Sequence, residues 1–230
     1  MKKIFTLIAV AAMALSVNAQ LITWTAPIAK KSVAGTYSNG AFSLTVTDTT
    51  DDGKIAVDAN NAYFGDATTQ TKFTHRLKTG GKSDSKNNLS LTIPAAGTLK
   101  VYVRTGSNSA TDRNLVLTQG ETELYNKVVV ESDAIKVKGL DSENPDNETK
   151  VYPIISVKVE SGTVAVTYPT NSLNFYGFEF VADGNGDTDG ITAVKSVADV
   201  NAPAYNLAGQ KVADGFKGLV IKNGKKFVNK

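Results

Sequence analysis

Apolar and polar residues alternate in short runs along most of the chain, and glycine, proline and polar residues separate the runs. The clearest run is Thr98–Arg104, where apolar residues alternate with Lys100, Tyr102 and Arg104. Successive side chains of a β-strand point to opposite faces, so such runs predict half-buried strands. The runs that favour strands are 21–24, 36–48, 54–57, 73–79, 89–94, 98–104, 113–117, 127–130, 151–159, 163–168 and 173–181.

These runs predict an all-β fold. No stretch has the apolar periodicity of an amphipathic helix, and parallel α/β folds need helical crossovers. We therefore expect an antiparallel two-sheet β-sandwich of the jelly-roll or carbohydrate-binding-module kind. Within it, residues 151–159 and 163–168 predict a hairpin across Glu160-Ser161-Gly162. Gly177, inside the last run, predicts a bulge or a close approach of another backbone.

One predicted strand carries a mixed set of side chains. Phe73, His75 and Leu77 share its apolar side. Arg76 and Lys78 share its polar side, together with a threonine. His75 is the single histidine of a chain without cysteine. A partly buried histidine is therefore favoured over a metal ligand, since no second histidine or cysteine exists to complete a site.

Polar residues with aromatic neighbours on several predicted strands define a candidate glycan-binding face. Aromatic rings supply flat area with a polar edge, and arginine pairs with uronate carboxylates through two hydrogen bonds. If the strands share a sheet, Tyr102 and Arg104 would lie beside Arg76 and Lys78. The alternative is a solvated face whose cations protect a sheet edge from aggregation. The candidate carbohydrate-binding residues are Arg76, Lys78, Tyr102, Arg104, Arg113, Asn174 and Tyr176.

Catalytic chemistry has little support in the sequence. No Gly-x-Ser-x-Gly motif accompanies His75, and the acidic residues cluster in loops, where solvation explains them. We therefore expect a protein that is not an enzyme, with no catalytic residue and no cofactor. Trp24, the only tryptophan, is expected in the core of the sandwich rather than at a binding surface.

The N-terminus has the organisation of a secretory signal peptide. Lys2 and Lys3 precede an apolar run that ends at Leu15, and small residues follow up to Ala19. The run is too short to span a bilayer, so residues 1–19 are predicted to be a cleaved signal. The alternative is a retained membrane anchor. Cleavage would place the protein outside the cell or on its outer surface.

Positive charge is unevenly distributed along the chain. The whole chain carries a net charge of +3, but residues 20–190 hold 16 cations against 20 anions, and residues 191–230 carry a net charge of +5. A nucleic-acid-binding domain carries a basic field over its folded part. Nucleic acid is therefore not an expected partner of the body.

A break in composition at 183–190 separates the body from the C-terminal residues. This stretch has three glycines and no apolar residue, which predicts an acidic linker. Asp183, Asn185 and Asp187 have the spacing of a calcium loop. Calcium binding is the weaker interpretation of this stretch, because the sixth position of the loop is Thr188, where a calcium loop needs glycine.

Residues 191–230 predict a small β unit, in which Asn223-Gly224 is a strong two-residue hairpin signal. The segments Tyr205–Val212 and Lys217–Lys226 resemble the C-terminal tails of secreted Bacteroidota proteins, which are related to outer-membrane sorting signals of the type IX kind. The resemblance implies export through an outer-membrane secretion machinery. The alternative is a small β-hairpin cap on the sandwich.

In the body, residues 20–182, a resemblance to known proteins is carried by Arg76–Gly81, Thr98–Arg104, Arg113–Leu115 and Leu173–Phe178. Through these segments the body resembles β-sandwich modules attached to secreted pectate lyases and related polysaccharide-degrading proteins. The resemblance implies a non-catalytic domain that binds pectin-like or other plant polysaccharide. The alternative is a structural or adhesive surface protein that contacts other proteins and binds no glycan.

Overall fold

The computed structural model describes residues 19–183, 204–206, 210–213, 216–222 and 225–229. Contacts divide the chain into two units, Met1–Gly184 and Asn185–Lys230. The predicted signal peptide up to residue 18 and most of the predicted linker lie outside the described residues. None of the described segments forms a helix of the length and apolarity that crossing a bilayer needs.

Short extended segments make up the described part of the first unit, joined by turns and by one 3-10 helix, Glu131–Asp133. The strands are β1 (Ala19–Thr23), β2 (Gly35–Asn39), β3 (Phe42–Asp48), β4 (Ala56–Gly65), β5 (Gln70–Lys78), β6 (Asn87–Ile93), β7 (Gly97–Thr105), β8 (Asn114–Gln119), β9 (Thr122–Val128), β10 (Ile135–Val137), β11 (Thr149–Tyr152), β12 (Ile155–Val159), β13 (Gly162–Thr167) and β14 (Leu173–Ala182).

These strands form two sheets that pack face to face. The six-stranded sheet has the order β2-β3-β6-β13-β8-β9. The eight-stranded sheet has the order β10-β11-β4-β5-β14-β7-β12, with β1 also paired to β14. Among the described pairs of this unit, β11 and β4 run parallel and the others run antiparallel. The predicted all-β two-sheet sandwich is confirmed, with this one parallel pair as the exception to its antiparallel pattern.

Alternation explains which residues fill the space between the sheets. Leu44 and Val101 are fully buried in this inner core, while Lys100, next to Val101, is partly exposed on the opposite face. Trp24 is 1% exposed and lies edge-on to Tyr37, with ring centres 6.3 Å apart. Its expected place in the core is confirmed. Removal of such apolar surface from water is the main stabilising contribution to the fold.

The predicted hairpin of residues 151–159 and 163–168 is wrong. Pro153 lies where the first of these segments divides into β11 and β12, since proline has no N–H for a sheet ladder. β12 pairs with β7 in the eight-stranded sheet, whereas β13 pairs with β6 and β8 in the six-stranded sheet. Glu160 and Ser161 therefore connect the two sheets instead of closing a hairpin.

The β4–β5 hairpin leaves the eight-stranded sheet and covers its outer face, the face turned away from the six-stranded sheet. β5 pairs with β14 only at its C-terminal end, and β1 takes the next places along β14. Beyond this point Phe64 and Phe73 contact Tyr102 and Tyr176, with ring centres 4.8 to 6.4 Å apart. Phe73 and Leu77, predicted to share one face, therefore lie in different apolar clusters.

Gly177 allows the hairpin and β14 to come this close. β14 has a bulge between Phe175 and Gly177. A Cβ at position 177 would lie 3.1 Å from Phe73 Cε1 and 3.1 Å from the carbonyl oxygen of Ile22. The predicted bulge and the predicted close approach are both confirmed. We call the buried set under the hairpin the outer cluster: Ala62, Phe64, Phe73, Tyr102, Tyr152 and Tyr176.

The second unit forms an antiparallel sheet of its own, with the order β16-β15-β17-β18. β17 and β18 form the predicted hairpin, in which Lys222 lies opposite Lys225. The strands are β15 (Ala204–Tyr205), β16 (Lys211–Val212), β17 (Gly218–Lys222) and β18 (Lys225–Asn229).

Phe73→Ala should lower the free energy of unfolding by about 3–5 kcal/mol, the usual cost of deleting a buried phenylalanine side chain. Thr74→Ala is the matched control on the same strand, because Thr74 is exposed, and should cost less than about 1 kcal/mol. Urea unfolding followed by the fluorescence of Trp24 measures both changes. Equal effects of the two substitutions would show that the outer cluster contributes little to stability.

Candidate functional site

β5, β14 and β7 lie side by side in the eight-stranded sheet and carry six of the seven candidate residues. The register places Asn174 of β14 opposite Lys78 on one side and opposite Arg104 on the other. The sequence neighbours of these three residues include members of the inner core. Because side chains alternate along a strand, all three therefore lie on the outer side of the sheet. Asn174 is nevertheless only 2% exposed, and its Nδ2 donates to the backbone oxygen of Thr105 at 3.2 Å. The structure brings these predicted residues together on one face.

Two positions further along the same strands lie Arg76, Tyr176 and Tyr102, which also face outwards. Tyr102 is 2% exposed and Tyr176 is fully buried. The expectation of an exposed aromatic platform is therefore wrong, because Phe64 and Phe73 of the overlying hairpin cover both rings. The two tyrosines form a floor beneath the surface instead of part of it.

The hydroxyl groups of both buried tyrosines have partners. Tyr176 Oη donates to Asn60 Oδ1 at 2.5 Å, and Tyr102 Oη donates to the carboxylate of Glu179. Burial raises the pKa of Tyr102, and the hydrogen bond to Glu179 raises it further. Burial also raises the pKa of Tyr176, although neighbouring guanidinium groups act in the opposite direction. Both phenols are therefore protonated donors at neutral pH.

Asp58 of β4 orients the two cations of β5. Its Oδ1 accepts a hydrogen bond from Arg76 Nε at 2.8 Å, and its Oδ2 accepts one from Lys78 Nζ at 3.0 Å. Burial opposes ionisation of this carboxyl group, but the bonds from Arg76 and Lys78 outweigh burial and hold the pKa of Asp58 below its usual range. Both cations keep further N–H donors after these bonds are made.

Glu131 and Tyr152 hold Arg104 from the other side. The guanidinium lies over the Tyr152 ring, 4.8 Å from its centroid. Arg104 Nη2 donates to Asn108 Oδ1 at 2.9 Å and lies 3.7 Å from Glu131 Oε2. Glu131 Oε1 accepts hydrogen bonds from Lys150 Nζ and Tyr152 Oη, each at 2.8 Å. Burial opposes ionisation of Glu131, but these partners hold the pKa of its carboxyl group below the usual range.

The resulting surface has a local surplus of positive charge. We call Arg76, Lys78 and Arg104 the cation row. Together with Lys150 they place four cations beside two carboxylates, within a segment, residues 20–190, that holds 16 cations and 20 anions. The side chain of Lys78 is 42% exposed, and that of Arg104 is 15% exposed. Salt screens charges at longer range, so attraction of an anion to this surface is local.

Arg113 does not join the cation row. It precedes β8 of the six-stranded sheet, and its Nη1 donates to the backbone oxygen of Ser172 at 2.9 Å and to Ser172 Oγ at 2.7 Å. These bonds tie the start of β8 to the segment that leads into β14. Arg113 is thus the candidate residue that the structure separates from the other six.

Sequence reasoning missed the acceptors that arrange this surface. Asp58 lies on β4 just before a break in its register with β5, and Asn60 lies within that break. Glu131 lies in the 3-10 helix, and Tyr152 lies on β11, which runs parallel to β4. The sequence offers one sign of these acceptors: Asp58 and Asn60 are two positions apart and so lie on one face of a strand. Their position beside Arg76 depends on strand pairing, which local alternation does not reveal.

The residues considered for metal binding in the sequence are His75, Asp183, Asn185 and Asp187. His75 is partly exposed. Asp183 accepts a hydrogen bond from Lys158 Nζ at 2.6 Å, while Asn185 and Asp187 lie outside the described residues. In the described part of the chain, no group of three or more His, Cys, Asp or Glu side chains is arranged to hold a metal ion.

Comparison with known proteins gives no family assignment. No protein-family model matches the chain, and no curated protein matches it. A solved structure from work on the Ruminococcus flavefaciens cellulosome and its expansion in glycan recognition is 14% identical, with a TM-score of 0.32 and coverage of 69% of this chain and 95% of that one.

Two further solved structures are similar to this chain over only part of their own, greater length. The catalytic unit of a GH87 alpha-1,3-glucanase from Streptomyces thermodiastaticus is 12% identical, with a TM-score of 0.33 and coverage of 66% of this chain and 28% of that one. The CBM22-1 and GH10 modules of endo-1,4-beta-D-xylanase 10B from Clostridium thermocellum, complexed with xylohexaose, are 12% identical, with a TM-score of 0.31 and coverage of 60% and 26%. The chain thus spans about a quarter of each of these two proteins. At such TM-scores the similarity supports no functional argument. A proposal about function must therefore rest on the geometry of the cation row.

Proposed function

We propose that the β-sandwich is a secreted or surface-displayed, non-catalytic module that binds anionic polysaccharide of the uronate-rich, pectin-like kind. The cation row makes the contact. The observation that supports this proposal is the convergence of Arg76, Lys78 and Arg104 around Asn174 on three adjacent strands. Their surplus of positive charge suits a ligand that carries repeated carboxylates.

Internal carboxylates prepare the row for such a ligand. Asp58 holds Arg76 and Lys78 in place, so less side-chain entropy is lost when a ligand binds. Lys78, whose side chain is 42% exposed, keeps the N–H donors that Asp58 does not use. A uronate carboxylate can accept these donors, and neighbouring sugar hydroxyl groups can donate to the remaining lone pairs of Asp58.

Protection of a sheet edge explains the row less well. Cations that prevent edge-to-edge aggregation belong on edge strands. β5, β14 and β7 are interior strands of the eight-stranded sheet, with a paired strand on both sides. Lys78 itself has a paired residue on both sides, Ala56 of β4 and Asn174 of β14, whereas β12 pairs with β7 only as far as Val101. The position of Lys78 therefore favours a ligand over edge protection.

Lys78→Gln should weaken binding to oligogalacturonate by about tenfold, the loss expected for one charge-assisted hydrogen bond. Arg76→Lys should also weaken binding, because it keeps the charge but loses the planar fork, Nε and Nη2, through which Asp58 orients this cation. Isothermal titration calorimetry measures both changes. Fully methyl-esterified oligogalacturonate, which has no charge, should bind more weakly than the free acid.

Lys158→Gln is the matched control for these variants. Lys158 is an exposed lysine of the same sheet, paired with Asp183 outside the cation row, so its replacement should leave the affinity unchanged. Equal weakening by Lys158→Gln would indicate non-specific attraction between charges. If the folded protein binds no glycan at all, the proposal fails and a structural or adhesive protein that contacts other proteins is favoured.

We also propose that residues 191–230 direct export across the outer membrane. Their resemblance to C-terminal sorting tails supports this role, as does a sheet that forms a unit of its own. The partner would be the outer-membrane secretion machinery, and the sandwich would be its cargo.

Deletion of residues 191–230 should stop delivery to the cell surface in a bacterium with a type IX secretion system, and the protein should accumulate in the periplasm. Immunoblots of separated cell fractions measure this. As a gain-of-function control, the same residues fused to a periplasmic reporter should carry it outwards. Unchanged surface delivery of the deletion variant would contradict the sorting role.

A further inference from the structure

A second surface of the first unit shares no residue with the cation row. It is a groove of about 330 Å³ between the β4–β5 hairpin and the loop that follows β10. Ala62 and Phe64 belong to the outer cluster, so the alternation of β4 turns Tyr63 away from that cluster and into the groove. We call this surface the Tyr63 groove.

Asp141 stabilises the loop that forms one wall of the groove. Its Oδ1 accepts hydrogen bonds from the backbone N–H groups of Glu143 at 3.0 Å and Asn144 at 3.2 Å. Its Oδ2 accepts one from Asn147 Nδ2 at 3.1 Å. The bond from Asn147 and the two backbone bonds hold the pKa of Asp141 below its usual range. The wall is therefore arranged before any ligand arrives.

Tyr63 joins the floor of the groove to this wall. Its Oη donates to the backbone oxygen of Leu140 at 3.0 Å. Lys72 Nζ lies 5.6 Å from the centre of the Tyr63 ring. The ring is partly exposed, in contrast with the buried rings of Tyr102 and Tyr176. Tyr63 is therefore an aromatic ring that is partly open to a ligand, beside the ammonium group of Lys72.

Several polar side chains that line the groove make no hydrogen bond within the described part of the chain. They supply an amide, a carboxylate and two hydroxyl groups, and thus both donors and acceptors. A set of this kind matches neighbouring sugar hydroxyl groups, since each of those both donates and accepts. The side chains are Asn61, Ser142, Glu143 and Thr149.

From this geometry we infer that the Tyr63 groove binds a neutral glycan. The Tyr63 ring covers the C–H face of one pyranose unit, and the unpaired polar side chains bond its hydroxyl groups. Asp141 and Glu143 outnumber Lys72 among the charged groups that line the groove. The groove therefore disfavours uronates, which the cation row is proposed to bind.

The two sites are independent, and either proposal can fail without the other. Together they would let one chain bind uronate-rich and neutral segments of the same polysaccharide. Such two-site contact raises the overall affinity through the effective concentration of the second segment.

Tyr63→Ala should weaken binding to neutral glycan by at least about tenfold, the loss expected when a central aromatic contact is removed. The probes are galactan, arabinan, xylan and β-glucan, each set in a native affinity gel, and at least one of them should retard the unmodified protein. Tyr63→Phe is the matched control, because it keeps the ring and loses only the hydroxyl that reaches Leu140. It should keep most of the affinity, and thermal unfolding should show both variants folded.

Lys78→Gln should leave retardation by the neutral glycan unchanged, which separates this inference from the function proposed for the cation row. Retardation that survives Tyr63→Ala would overturn the inference, because the ring would then make no contact. Absence of retardation by every one of the neutral glycans, with a folded protein, would overturn it as well.

Discussion

Phe64 and Phe73 lie over Tyr102 and Tyr176. They can do so because β5 pairs with β14 only at its C-terminal end, so the rest of the β4–β5 hairpin is free to cover the sheet. This contact between aromatic rings organises the outer face of the molecule. It favours glycine at position 177, next to the bulge of β14, since a Cβ there would lie 3.1 Å from the Phe73 ring and from the backbone of β1. It converts two tyrosines that alternation places on the surface into a buried floor. Their hydroxyl groups are thereby committed to internal acceptors.

The charged side chains of the outer face lie around the buried rings of the outer cluster and form ion pairs there. Asp58 holds two cations and Glu131 interacts with two, yet each carboxylate cancels only one charge. Ion pairs at partly exposed positions add little to stability. These ion pairs do fix the positions of Arg76 and Lys78, which would prepare both cations for the proposed ligand.

The polarity pattern was sufficient for the class of fold and for part of the surface. Lys78, Asn174 and Arg104 share a face because alternation is a local property of each strand, and interior strands in register then bring them together. The burial of Tyr102 could not be predicted in this way, because it depends on the path of a hairpin that is distant in sequence. The division of residues 151–159 into two strands could not be predicted locally either, because it depends on pairing with distant strands. β11 pairs with β4, and β12 pairs with β7.

We propose that a bound anionic glycan lies across β5, β14 and β7. An NMR titration of the isotope-labelled protein with trigalacturonate tests it directly, because each backbone amide reports its own surroundings. The largest shifts should occur at Lys78, Asn174 and Arg104 and should saturate together, while Lys158 stays unchanged. Saturating shifts centred on another surface, or no shifts at high ligand concentration, would contradict it.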